Sequence, residues 1–327
     1  MEFHEADGVF QGGGVKGIAL VGALLGFAER GYGRWVNVAG ASAGAIIAAY
    51  LACGHDAYDA EQLLRTAPYT RFEDVGPGGP VLGGVWNMVR RRGLAHGVYL
   101  RDWLDDQLSG RTFASVSEDG RSRLKLIAAD VTRRELLVLP DDLPRYRTPG
   151  GDTPIDTDRF RIADAVRMSM ALPYFFEPVQ LVHHETGLSS TIIDGGMVSN
   201  FPVWLFDVED SDPIRPTFGL RLAGSRGFGG GVERALARVG LPVGIRADIF
   251  HTAMEAWDKR FMSHSTLIRT CPVPASAINP TDFHLTALEQ TELVEGGRRA
   301  ARGFLDSFRP EDYRNTYGRP LSAAVPV

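Results

Sequence analysis

The stretch Val36-Asn37-Val38-Ala39-Gly40-Ala41-Ser42-Ala43-Gly44-Ala45-Ile46-Ile47 constrains the fold more than any other part of this chain. An apolar strand pattern runs into Gly-x-Ser-x-Gly, and an Ala/Ile-rich helix pattern follows at once. That order places Ser42 on a sharp strand-to-helix bend with its hydroxyl projecting, the local design of a nucleophile elbow. Gly40 and Gly44 remove side chains that would collide with the flanking strand and helix. A helix starting near Ala43 also aims its positive end at Ser42, where an anionic intermediate would form.

The residues around this motif predict β-α-β-α over the first part of the chain. Gly8–Phe10 reads as a strand, and Val15–Arg30 as a helix in which Ile18, Val21, Leu24, Leu25 and Ala28 recur at helical spacing. Trp35–Ala39 reads as the second strand and Ala43–Cys53 as the second helix, closed by Gly54. Alternation of this kind predicts an α/β fold with a central, mostly parallel sheet. Further strands are expected at 124–129, 135–139, 179–182, 191–193, 217–222 and 266–268. Further helices are expected at 59–66, 100–108, 162–168, 232–263 and 287–308. Trp35 to Gly54 is 20 residues without a charge, long enough to span a bilayer. Its Ala and Gly content, and the turn motif inside it, favour a buried strand followed by a buried helix.

Two more segments carry chemistry. Gly12-Gly13-Gly14-Val15-Lys16-Gly17 satisfies G-x-G-x-x-G, which raises a dinucleotide-binding reading. That reading wants a ribose-binding carboxylate at the end of the second strand, where this chain has Ala39-Gly40-Ala41-Ser42. Backbone N–H groups converging on an oxyanion suit the glycines better. Lys16 would add positive charge nearby or face solvent. Ile192-Ile193-Asp194-Gly195-Gly196 places an aspartate after an apolar strand, which suits a carboxylate exposed at the carboxyl edge of an open sheet, or a simple turn former.

Together these three motifs resemble the patatin-like phospholipase family, whose pattern is G-G-G-x-[KR]-G, then G-x-S-x-G, then D-G-[GA]. The segments Met168–Pro178, Ser199–Pro202 and Phe283–Thr286 are similar to family segments as well, so the resemblance covers residues 8–308. It implies a three-layer α/β/α fold in a single domain at 8–308, with 309–327 as a C-terminal tail. It also implies a serine hydrolase of phospholipid or lysophospholipid acyl esters that needs neither metal nor cofactor. Ser42 would be the nucleophile, Asp194 the base, and Gly12, Gly13 and Gly14 the oxyanion hole. Lys16, Gly17, Gly40, Gly44, Gly195 and Gly196 would support the motifs. Other readings are an α/β-hydrolase esterase completing a triad with His251, His264 or His284, and a non-catalytic nucleotide-binding protein. Against the first, only two strands fit before Ser42.

The rest of the chain bounds these expectations. A formal net charge of −5 argues against a nucleic-acid binder. Cys53 and Cys271 make neither a disulfide framework nor a zinc site by themselves, and Cys53 sits in an apolar helix pattern. The start, Met1 to Asp7, lacks the basic and apolar regions of a signal peptide, so a cytoplasmic location is expected. In 76–98, a Gly/Pro-rich hinge leads to Trp86, Met88 and Arg90-Arg91-Arg92, a mix suited to a lid making transient contact with a membrane surface, or to a solvated helix end. Oligomeric state is not legible.

Overall fold

The computed structural model describes residues 5–72, 93–207, 213–223, 264–275 and 285–317. Its strands are β1 (Glu5–Phe10), β2 (Arg34–Ala41), β3 (Gly93–Ala95), β4 (Ser117–Glu118), β5 (Arg121–Ser122), β6 (Leu124–Asp130), β7 (Glu135–Leu139) and β8 (Tyr146–Arg147). They continue as β9 (Tyr174–Phe176), β10 (Val179–His183), β11 (Ser189–Asp194), β12 (Thr217–Ala223) and β13 (Thr270–Pro274). The helices are α1 (Gly17–Glu29), α2 (Ala43–Ala52), α3 (Ala57–Thr66), α4 (Val98–Gln107), α5 (Ile162–Ser169), α6 (His264–Ile268), α7 (Ala287–Ser307) and α8 (Pro310–Tyr317).

One large sheet runs in the order β13-β12-β1-β2-β6-β11-β10-β8, with β7 also paired to β6. The pairs from β13 through β6 are parallel, while β11, β10, β8 and β7 join antiparallel. The α/β architecture expected from the alternation is therefore present. The register sets the height of the site: Phe10 lies opposite Gly40, Ala41 opposite Ile127, and Asp194 opposite Ala128. The ends of β1, β2 and β11 thus come level with one another.

Side chains alternate across the sheet, as the pleat requires. Ala6, Phe10 and Val38 point into the main core, where α1, α2, α5 and α7 lie, while Val9 and Ala39 meet Phe201 and Val203 on the opposite face. Residues 17–27 of α1 are buried all round, beyond the one-sided stripe its sequence pattern predicts. The reason is α7, which approaches so closely that a methyl on Gly22 would stand 2.1 Å from Val294 O. Thr286 and Glu289 close a capping box at the start of α7, where each side chain bonds the other residue's backbone N–H.

Two expectations need correction. Residues 266–268 are helical, and the strand is β13, four residues later. Pro272 and Pro274 disguise it, and they are tolerated because β13 is an edge strand of the described sheet. The expected tail is partly built into the body. Tyr313 of α8 is buried, and its hydroxyl accepts the Thr217 N–H at 2.9 Å.

The region expected to be helical at 232–263 lies outside the described residues, as do Trp86, Met88 and Arg90–Arg92. The far end of 76–98 is described, and there β3 pairs with β9.

Candidate active site

Ser42 stands where β2 turns into α2, with φ 52° and ψ −125°. A positive φ is costly for a residue with a Cβ, on the order of 1–3 kcal/mol, and persists only where surrounding structure enforces it. Here the bend is enforced from both sides. A methyl on Gly40 would lie 2.2 Å from Gly44 O, and one on Gly44 would lie 2.1 Å from Phe10 O. The Ser42 carbonyl accepts the Ala45 N–H, so the serine is the N-cap of α2. The positive end of that helix is directed at it.

Asp194 ends β11 and is 1% exposed. Its Oδ1 accepts the Gly196 N–H at 2.8 Å, and Oδ2 is buried with no hydrogen bond among the described residues. Burial pushes the carboxyl up to about 7, against the opposing pull of the Ser42 hydroxyl and the Gly196 N–H. The expected exposed carboxylate is thus a buried one. Because β11 descends antiparallel to β6, Asp194 arrives beside Ser42 from the far side of that strand. A methyl on Gly195 would meet Ile127 O at 2.1 Å, so the turn after Asp194 sits directly on β6.

The glycine loop completes the cluster. Gly12 packs against the Ser42 turn, where a methyl on it would be 3.0 Å from Ser42 Cβ. Its N–H is donated to Asn200 O, and its carbonyl accepts from Asn200 Nδ2, both at 3.2 Å. Gly13 and Gly14 donate to no backbone acceptor among the described residues. Gly14 has φ 57°, the left-handed conformation that turns the loop into its short 3-10 helix. Gly17 comes close to the start of α2, where a methyl on it would be 3.3 Å from Ala43 Cβ. Lys16 does not face solvent. It is fully buried, and desolvation lowers its ammonium to about 8.

An apolar pocket opens beside Ser42. Val15, Ile18, Ile46, Leu64, Phe72, Met170, Leu172 and Phe175 are among its lining residues, and among the described residues no histidine lines it. The structure therefore brings together Ser42, Asp194 and the Gly12–Gly14 loop. His251 and His284 lie outside the described residues, and of His264 only the backbone, in α6, is described. Cys53 and Cys271 are buried away from this cluster, with thiols pushed up to about 11 and about 12 by desolvation. No group of three or more His, Cys, Asp or Glu suited to a metal occurs among the described residues.

A model of the patatin-like phospholipase family matches residues 8–207, more than half of the chain and all three motifs. The chain belongs to that family. A Bacillus subtilis (strain 168) protein, YqhO, is 36% identical over 301 residues, covering 91% of this chain and 97% of that protein. VipD from Legionella pneumophila shares the fold at 18% identity and a TM-score of 0.54, covering 92% of this chain and 67% of VipD. Membership makes this patatin-like protein a lipid acyl hydrolase in general class. The charge-free stretch from Trp35 to Gly54 resolves into β2 and α2, and no helix among the described residues is long and apolar enough to cross a membrane.

Sequence reasoning missed two residues of this site. Ser169 and Asn200 lie in segments singled out only by resemblance. Their backbone-directed hydrogen bonds become visible only when β2, β6 and the glycine loop are assembled.

Proposed function

We propose that this protein hydrolyses acyl esters of phospholipids or lysophospholipids through a Ser42/Asp194 dyad. The observation that carries the reading is the buried Asp194 carboxyl. One oxygen is held by Gly196, the other makes no hydrogen bond within normal geometry among the described residues, and the Ser42 hydroxyl stands beside the carboxyl. A base poised near neutrality, next to a hydroxyl on a strained elbow, needs no histidine between them.

In the first half-reaction, Asp194 takes the Ser42 hydroxyl proton as Oγ attacks the ester carbonyl carbon. The N–H groups of Gly13 and Gly14, with the positive end of α2, receive the developing oxyanion. The bond to the lysolipid or glycerol oxygen then breaks, Asp194 returns the proton to that oxygen, and acyl-Ser42 remains. In the second, water gives its proton to Asp194 as it attacks the acyl carbon. Collapse returns the proton to Ser42 and releases the fatty acid. The apolar pocket beside Ser42 suits the acyl chain.

The test compares purified variants on phospholipid, lysophospholipid and short soluble acyl esters. Ser42→Ala and Asp194→Asn should each remove turnover, while His251→Ala, His264→Ala and His284→Ala keep most of it. Loss of turnover in one folded histidine variant would replace the dyad with a triad.

A further inference from the structure

Ser169, the last residue of α5, is fully buried, and its hydroxyl is committed at both ends. Oγ accepts the Ser42 N–H at 3.0 Å and donates to Ile127 O at 2.6 Å. Two residues on, Ala171 O accepts the Asp194 N–H at 2.9 Å. The short run Ser169-Met170-Ala171 therefore grips the backbone of both Ser42 and Asp194. Met170, between the two contacts, lines the apolar pocket. We propose that Ser169 is a positioning residue for the acyl-transfer reaction: its hydroxyl ties the Ser42 backbone to β6 and so sets the direction of the Ser42 hydroxyl toward Asp194. The inference rests on the dyad reading above.

Ser42 sits at a strained φ, and its N–H belongs to the unpaired donors at the start of a helix. Without an acceptor there, the turn is free to relax and carry Oγ with it. Ser169 supplies that acceptor from a side chain that is itself anchored on Ile127 O. This carbonyl is also the atom that forbids a side chain on Gly195, so Ser42, Ser169 and the Asp194 turn share one reference point on β6. The bond also engages the Ser42 N–H, leaving oxyanion contact to the glycine loop.

The experiment measures kcat, KM and the pH profile on a short soluble acyl ester, with folded sites counted by a fluorophosphonate that labels Ser42. Ser169→Ala should lower kcat by about 10- to 100-fold with KM within about threefold. The acid limb of its profile should move to higher pH, because the Ser42 hydroxyl no longer favours the charged form of Asp194. Ser169→Thr, which keeps the hydroxyl, should recover part of kcat. If Ser169→Ala does not accumulate folded, Ser169→Cys, with its weak acceptor, is judged by the same criteria. A kcat within about twofold of the parent, with an unmoved acid limb, would overturn the positioning role while leaving the dyad intact. A parent protein that neither turns over acyl esters nor labels at Ser42 would instead defeat the dyad reading, and this inference with it.

Discussion

Asp194 Oδ1 accepts the Gly196 N–H at 2.8 Å, while Oδ2 makes no hydrogen bond among the described residues and, on the dyad reading, is the oxygen that would take the Ser42 proton. The carboxyl is raised to about 7 by burial, and only its ionised form accepts a proton. We expect kcat/KM to rise with pH up to about 7, falling roughly tenfold per unit below it, and then to level. A pH–rate profile on a soluble ester checks this. A flat profile between pH 5 and 8 would contradict Asp194 as the base.

The same shift makes a stability prediction. A carboxyl raised in the folded state binds more protons there than in the unfolded chain between about pH 4 and 7. Stability contributed by Asp194 is therefore lost as pH rises through that window. Asp194→Asn keeps the acceptor for Gly196 and removes the buried charge. It should be more stable than the parent at pH 8, by on the order of 1–4 kcal/mol, and show little advantage at pH 4. Urea unfolding at the two pH values measures the difference.

Ser42 pays for its position in backbone strain at φ 52°. Ser42→Gly should remove turnover and stabilise the fold by roughly 1 kcal/mol, since glycine enters that region without a Cβ clash. Thermal unfolding of Ser42→Gly beside Ser42→Ala isolates the effect. Equal melting temperatures would show that the elbow is unstrained.

Two glycine-to-alanine changes should move stability in opposite directions. Gly44→Ala drives a methyl to 2.1 Å from Phe10 O and should cost more than about 3 kcal/mol or prevent folding. Gly303→Ala, inside α7 with nothing within 4 Å of the new methyl, should stabilise by about 0.5–1 kcal/mol. Denaturant midpoints of the two variants decide it.

Tyr313→Phe should destabilise by about 1–2 kcal/mol, because the buried Thr217 N–H loses its acceptor at the start of β12. Ending the chain at residue 309 should cost more, since α8 covers the aromatic cluster of Phe218, Phe304 and Phe308 through Tyr313. Chemical unfolding of both forms tests whether α8 belongs to the folded body.

Local patterns carried the order β1-α1-β2-α2, the elbow at Ser42 and the glycine loop, because each is specified within about a dozen consecutive residues by periodicity and glycine placement. The helix expected at 287–308 was equally legible, and α7 occupies it. The edge strand β13 was not, because its prolines contradict strand propensity and its pairing with β12 is a long-range contact. Nor was the depth of Asp194. An apolar strand followed by Asp-Gly-Gly reads alike whether its end is wet or dry, and only the antiparallel descent of β11 beside β6 buries the carboxyl and moves its titration to about 7. The positions of Ser169 and Asn200 were decided the same way. Their partners, Ser42 and Gly12, are 127 and 188 residues away in the chain, and hydrogen-bond geometry across such separations exists only once the sheet has assembled.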